Sequence, residues 1–227
     1  MTEPTTYFWS HFDTWVECPE RYRTQYILKE PYDIDDNWAV KEGREIHSML
    51  ANRLEKLATN KGFKAGNSLL LKKYHALYGK EDSEMTPWRT EVTLPGREIA
   101  PGILIAGRVD AMAPNGLIRD TKRKGRRYGL AKDMLQLMWY CLCAGTNRGQ
   151  LDLVYPPAWE RTEWGMERLN YTFSKGDFSS LITDIATFHE EVKRNSSTNP
   201  VVAAPRNHNS CHYCPYTNGC WPNLIVK

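Results

Sequence analysis

Residues 114–116, Pro-Asn-Gly, separate two runs of alternating character, 103–113 and 117–123, and this hairpin pattern limits most strongly how the chain can fold. Alternation of apolar and polar residues predicts β-strands. Proline suits the second position of a type I turn, and glycine suits the left-handed position that closes a three-residue loop. We prefer this loop to a two-residue Asn-Gly turn, because the proline has no N–H to donate to the ladder. The strands then pair with Ala113 opposite Leu117.

The same register places two acidic side chains, Asp110 and Asp120, directly opposite each other on one face of the hairpin. Lys122 lies two residues further along its strand and therefore points to the same face. Opposed carboxylates repel each other, and Mg²⁺ or Mn²⁺ bound between them would remove that penalty. The lysine could then stabilise charge on a phosphate or help to activate a water molecule. The alternative is a solvated strand face on which Lys122 neutralises Asp120.

Two predicted helices add polar residues that could join this face. Residues 38–58 show helical periodicity, and His47 lies one position round from the apolar stripe. A second helix is predicted over 130–144, where Gln136 and Tyr140 are four residues apart and share a face. Taken alone, each of these features is more typical of ordinary helix packing than of a functional site.

The remaining pattern mixes strands and helices along the chain, which predicts an α/β domain with a mixed sheet. The further predicted elements are a helix over 69–78, strands over 88–94, 151–155 and 164–173, and a helix over 177–194.

The order of these residues resembles the motif series of the RecB-like branch of the PD-(D/E)XK nucleases: Gly43-x-x-x-His47, Asp110, Asp120-Thr121-Lys122 and Gln136-x-x-x-Tyr140. The resemblance implies a restriction-endonuclease-like core, in which helices flank a mixed β-sheet. Asp120 stands where many members of that branch have Glu, which is an allowed variant of the pattern.

The resemblance also implies a role for each motif residue. Mn²⁺ or Mg²⁺ would be held by His47, Asp110, Asp120 and the backbone carbonyl of Thr121. Lys122 would be the catalytic lysine, and Gln136 and Tyr140 would orient the site or contact DNA. Glu91, on the preceding predicted strand, is either a further acid of the site or an exposed strand residue.

Three cysteines cluster near the C-terminus as Cys211-x₂-Cys214-x₅-Cys220. Three thiolates are one short of the four that close a tetrahedral zinc site or hold a four-iron cluster. Candidates for the missing ligand are Cys18, His208 and His212. The residues alone leave zinc and iron–sulfur chemistry both open.

The early Cys18-Pro19 and the late cysteine triplet together resemble the iron–sulfur staple of AddB-type and CRISPR-associated RecB-like nucleases. This resemblance implies one [4Fe-4S] cluster held by Cys18, Cys211, Cys214 and Cys220. The cluster would join the N- and C-terminal segments, so that residues 1–227 form a single nuclease domain. Within it, residues 1–30 and 195–227 would form an iron–sulfur subdomain.

The composition is that of an ordinary globular protein, with 41% hydrophobic residues and 25% charged residues. These fractions exclude a disordered chain, a coiled coil and a collagen-like chain. No apolar run reaches the roughly 18 residues that a membrane span needs, and no signal peptide is visible. We therefore expect a cytoplasmic protein without membrane contact.

The net charge of +3 does not by itself indicate nucleic acid, but five of the six residues in 122–127 are cations. This run is either a phosphate-contacting edge or a solvated loop. Taken with the motifs, it favours a metal-dependent DNA exonuclease that acts on single strands or DNA ends. The resemblance also allows a recombination, helicase or CRISPR-adaptation partner. The alternatives are a non-catalytic DNA-binding or partner-docking module and a zinc-dependent structural adaptor.

Overall fold

The computed structural model describes residues 4–31, 38–59, 63–125, 129–158, 162–195, 214 and 216. The strands are β1 (Thr5–Phe8), β2 (Arg89–Ala100), β3 (Ile103–Met112), β4 (Ile118–Arg123), β5 (Arg148–Tyr155) and β6 (Gly165–Thr172). The helices are α1 (Trp9–Glu17), α2 (Pro19–Tyr22), α3 (Trp38–Ala58), α4 (Leu69–Glu84), α5 (Leu130–Ala144) and α6 (Lys175–Asn195), and a π-helical turn, Arg23–Ile27, follows α2. Within these ranges, no helix is long and apolar enough to cross a bilayer.

The strands form one mixed sheet, which confirms the predicted α/β class and is consistent with a restriction-endonuclease-like fold. Its order is β1-β3-β4-β5-β6, and β2 also pairs with β3. β3 and β4 are antiparallel, whereas β4 and β5 are parallel. Parallel neighbours need a crossover connection, and α5 supplies it between β4 and β5.

The described residues divide into two compact units. The first comprises residues from 1–35, 97–105 and 179–227, and the second comprises residues from 36–96 and 106–178. Most of 195–227 lies outside the described residues. The expected single domain with an iron–sulfur subdomain of 1–30 and 195–227 therefore stays a prediction.

The first unit has an aromatic core centred on Phe188 of α6. The rings around it lie with their centroids 4.7–5.8 Å from the Phe188 ring, and they belong to Tyr7, Phe12, Trp15 and Tyr22. The hydroxyl of Tyr7 also forms a buried 2.9 Å hydrogen bond with Nδ1 of His189. Burial of these large rings holds α1 and α2 against α6.

In the second unit, α3 and α4 pack through their apolar stripes. Ile46 and Leu50 of α3 share a buried cluster with Leu70 and Tyr74 of α4 and with Val154 of β5. The helix α3 has the predicted bounds, 38–58. α4 begins as predicted but continues to Glu84 rather than ending at 78.

The longer α4 carries Asp82 into a buried cluster of charged and polar side chains that the sequence pattern does not predict. The carboxylate of Asp82 lies 2.5 Å from Nη1 of Arg53 and 2.7 Å from Nη2 of Arg119. Asp152 of β5 lies 2.7 Å from Nε of Arg168. Burial disfavours the charged form of Asp152, but Arg119 and Arg168 outweigh it and lower the pKa of this carboxyl. A buried charge without a partner is costly, so removing any one member would leave another member unpaired. The intact cluster therefore joins α3, α4 and the sheet.

Candidate active site

The β3–β4 hairpin has the register that a three-residue loop predicts. Ala111 pairs with Arg119 and Met112 with Ile118, and the N–H of Ala113 donates to the carbonyl of Leu117 at 3.0 Å. The glycine that closes the loop, residue 116, has φ of 79°, in the left-handed region that glycine adopts readily. Asp110 directly precedes the first of these paired residues on β3, and Asp120 directly follows Arg119 on β4.

Asp110 is held from two sides. Its Oδ2 accepts a 2.7 Å hydrogen bond from the backbone N–H of Thr121, and its Oδ1 lies 3.2 Å from Nδ1 of His47 on α3. Burial opposes protonation of His47, but the hydrogen bond to Asp110 and the charge of Asp120 outweigh it, so the pKa of His47 is raised. The structure therefore brings His47, on α3, to Asp110 on β3.

Asp120 is 3% exposed and lies next to Lys122, whose Nζ is 2.8 Å from Oδ2 of the acid. Burial raises the pKa of Asp120, and the charge of Asp110 raises it further. Lys122 opposes both effects, and the resulting pKa is about 6. Burial disfavours the charged form of Lys122, yet Asp120 outweighs it and raises the pKa of the ammonium. The lysine is therefore a cation at neutral pH.

Helix α5 places Gln136 and Tyr140 beside Asp120 and Lys122. Nε2 of Gln136 donates a 2.7 Å hydrogen bond to the hydroxyl of Tyr140. Burial first, and then the charge of Asp120, raises the pKa of Tyr140 to about 12. The tyrosine ring packs so closely on β3 that a Cβ added at Gly107 would lie 2.8 Å from it. Sequence reasoning missed this role of Gly107, because the ring that packs on it comes from a distant helix.

The sequence also matches the model of one protein family. The model described as the PD-(D/E)XK nuclease superfamily matches residues 9–221, which is nearly the whole chain. The chain belongs to the PD-(D/E)XK nuclease superfamily. No curated protein matches the sequence at a significant level.

Solved structures similar to this superfamily member include SSO0001, with 20% identity and a TM-score of 0.56 over 97% of this chain and 88% of that one. At that identity the similarity concerns the fold. The alkaline exonuclease LHK-Exo from Laribacter hongkongensis is 13% identical, with a TM-score of 0.49 over 84% of this chain and 89% of its own. The same enzyme in complex with dAMP is 15% identical, with a TM-score of 0.46 over 83% of this chain and 88% of that one.

The side chains expected to bind a metal ion in a PD-(D/E)XK nuclease lie in two separate ion pairs. His47 pairs with Asp110, whereas Asp120 pairs with Lys122. Accordingly, across the described ranges no group of three or more His, Cys, Asp or Glu side chains is arranged to hold a metal ion. The donor chemistry nevertheless suits a divalent cation, because the carboxylates of Asp110 and Asp120 are the hard oxygen ligands that Mg²⁺ and Mn²⁺ prefer.

The described part of the basic run is already neutralised. Besides Lys122, Arg123 lies 2.6 Å from Glu42, and Lys124 lies 2.5 Å from Asp133. Arg123 also stacks on the exposed ring of Trp38, with 4.6 Å from the guanidinium carbon to the ring centroid. The last two cations of the run, 126 and 127, lie outside the described residues.

Glu91 does not join the acids of the hairpin in the described structure. Its Oε2 lies 2.8 Å from Nε of Arg108 on β3, and both side chains are exposed. This contact favours the interpretation of Glu91 as an exposed strand residue rather than as a further acid of the site.

The predicted iron–sulfur ligands are described only in part. Cys18 is buried, and its Sγ accepts a 3.4 Å hydrogen bond from the backbone N–H of Arg21. Cys214 is half-buried. Two of the predicted ligands, 211 and 220, lie outside the described residues, as do the histidines at 208 and 212. Cys141 on α5 is fully buried, which raises the pKa of its thiol to about 12 and agrees with a role in the core.

Proposed function

We propose that this PD-(D/E)XK protein is a metal-dependent DNA nuclease, and that it acts as an exonuclease on single strands or DNA ends. One observation carries the proposal: the backbone N–H of Thr121 holds Asp110 next to the Asp120–Lys122 segment, and the cationic Lys122 lies beside Asp120. The strand preference and the exonuclease mode derive from the resemblance to RecB-like nucleases.

In this proposal, Mn²⁺ or Mg²⁺ is held by His47, Asp110, Asp120 and the backbone carbonyl of Thr121. A divalent cation bound there would lower the pKa of a coordinated water and would polarise the phosphodiester. The acids and the histidine must give up their protons to act as ligands. The N–H of Thr121 and the ring of His47 fix the Asp110 carboxylate before any ligand arrives, so it does not have to be ordered during binding.

Lys122 serves as a fixed positive charge rather than as a base, because its pKa is raised and its ammonium stays protonated. Placed beside Asp120, it would stabilise negative charge that develops on the phosphate oxygens. Tyr140 also stays protonated at neutral pH. Its oxygen accepts a hydrogen bond from Gln136, so its own O–H can donate towards the substrate.

We further propose one [4Fe-4S] cluster held by Cys18, Cys211, Cys214 and Cys220. Support comes from the spacing of the cysteines, and the burial of Cys18 provides a site sheltered from water. Four thiolates are the ligands of such clusters. Zinc in the same four thiolates is the alternative, and a colour measurement separates the two.

The nuclease proposal is tested with anaerobically purified protein on linear and circular DNA, single- and double-stranded, labelled at either end. Mn²⁺, Mg²⁺ and EDTA are compared, with Asp110→Ala and Lys122→Ala alongside. We expect metal-dependent loss of linear DNA, absent from both variants although they remain folded. Nicked circles would change the class to endonuclease. Binding without cleavage under any metal would replace the proposal with a non-catalytic DNA-binding module, and cleavage by both variants would remove the assigned site.

A further inference from the structure

Arg108 occupies the same face of β3 as the catalytic acid Asp110. Its neighbours Gly107, Val109 and Ala111 are buried, whereas the Arg108 side chain is 65% exposed. Two residues along a strand span about 6.8 Å. This distance is close to the spacing of consecutive phosphates along one nucleic-acid strand. A DNA strand with one phosphate at Asp110 and Asp120 would therefore bring a neighbouring phosphate towards Arg108.

Arg108 also differs from the cations of the basic run in accessibility. The side chains of Lys122, Arg123 and Lys124 are 21%, 15% and 14% exposed, and each is paired with an acid. Arginine presents a planar fork that binds phosphate through two parallel hydrogen bonds. Its exposure and geometry make Arg108 better suited to a phosphate contact than these three cations.

The acid that pairs with Arg108 has an unusual backbone. Glu91 adopts φ of 50° within β2, a left-handed conformation that is strained for a residue with a side chain. Its carboxylate, 2.8 Å from Arg108 Nε, lies where a phosphate oxygen would have to bind. Because an exposed ion pair contributes little to stability, a phosphate can displace this carboxylate at low cost.

We propose that Arg108 binds the backbone phosphate next to the one that is cleaved, and that Glu91 competes with DNA for this arginine. The inference rests on the proposed nuclease function. Glu91 holds the guanidinium in place while DNA is absent and is displaced when the strand enters. This arrangement assigns opposite effects to the two residues, since removing Arg108 removes a contact and removing the Glu91 charge removes a competitor.

The test measures binding of a fluorescently labelled single-stranded oligonucleotide to the full chain in EDTA, which prevents cleavage. Anisotropy titrations at several salt concentrations compare wild type, Arg108→Gln, Arg108→Lys and Glu91→Gln. We expect Arg108→Gln to weaken binding and to reduce the slope of log affinity against log salt by about 0.7, the value for one lost phosphate contact on single strands. Arg108→Lys restores part of the affinity. Glu91→Gln binds more tightly than wild type.

Lys80→Gln and Glu84→Gln are matched controls, because they change the same charges in an exposed ion pair on α4. If the Arg108–Glu91 pair were purely structural, both of its variants would lose thermal stability and DNA affinity together, which would overturn the inference. A slope of log affinity against log salt that is the same for Arg108→Gln and Lys80→Gln would also overturn it. In that case, binding and cleavage of DNA by the wild type would leave the nuclease proposal intact. Failure of the wild type to bind or cleave any DNA would overturn both.

Discussion

The backbone N–H of Thr121 donates a 2.7 Å hydrogen bond to Oδ2 of Asp110, so β4 fixes an acid that belongs to β3. The same carboxylate lies 3.2 Å from His47 on α3. Two strands and a helix therefore determine the position of one side chain. A carboxylate held in this way is already oriented before a metal ion or a substrate arrives.

Asp110→Asn should abolish cleavage and leave the fold intact. The amide keeps the shape of the acid and can still accept from Thr121, but it loses the charge that a divalent cation needs. We expect activity to fall by more than the roughly 10- to 100-fold that removal of an outer-shell partner costs. Rates at saturating Mn²⁺, measured together with circular dichroism, check this. A variant that cleaves within a few-fold of wild type would show that Asp110 is not a ligand.

Metal affinity should rise as the pH increases from about 5 to about 8, because Asp120 titrates near 6 and the pKa of His47 is raised. The folded pKa of Asp120 is above its usual 3.8, so the ionised acid destabilises the metal-free protein progressively as the pH rises from about 4 to 6. Calorimetric Mn²⁺ titrations in buffers with different protonation enthalpies would detect proton release. Affinity that does not change across this range would contradict the assignment.

Gly107→Ala should impair the site by displacing the Tyr140 ring. The new methyl group would lie 2.8 Å from Cε1 of a buried ring that cannot swing into solvent. Overpacking of this kind costs about 1–3 kcal/mol, and we expect cleavage to fall with it. The control is Gly125→Ala, since a Cβ there has no atom within 4 Å. Equal rates for the two variants would show that close packing of Tyr140 on β3 is unimportant.

Arg119→Met should reduce the free energy of unfolding by about 3–5 kcal/mol, because it leaves buried carboxylates with one cation fewer. Arg119 lies 2.7 Å from Asp82 and 3.5 Å from Asp152. Lys80→Met, which breaks an exposed 4.0 Å pair with Glu84, should change it by no more than about 0.5 kcal/mol. Urea unfolding of both variants measures the difference. Similar midpoints would mean that the buried cluster tolerates the loss.

Cys18→Ser should remove the iron–sulfur cluster, whereas Cys143→Ser, in the core of α5, should keep it. The anaerobically purified wild type is expected to be brown, with thiolate–iron absorption near about 400 nm. Iron and sulfide analysis of the three proteins accompanies the spectra. A colourless wild type with stoichiometric zinc would replace the cluster with a zinc site.

The hairpin could be predicted from sequence because its information is local. A proline and a glycine within three residues determine the loop, and the loop determines which residues face each other. The helical positions of His47, Gln136 and Tyr140 were predictable for the same reason, since periodicity along a helix is read from neighbours. Their approach to the hairpin required a family resemblance, because no local rule brings residue 47 to residue 110.

The buried charges could not be predicted in the same way. Asp82, Arg119 and Asp152 are separated by more than thirty residues each, and charged residues on a strand or helix normally predict a solvated face. They are buried because their partners come from other elements. The pairing of Glu91 with Arg108 escaped prediction for a related reason, since the left-handed backbone at Glu91 has no signal in the sequence.

The alternation of side chains along β4 has a consequence for how the protein reaches its native state. Asp120 and Lys122 point to one face of β4, and Arg119 points to the other, where it meets Asp82. A slip of one residue would bring Asp120 among the buried acids and send Arg119 to the opposite side. A mispaired β4 would therefore disrupt the buried charged cluster and the proposed active site together, so we expect a chain with this register error to be inactive.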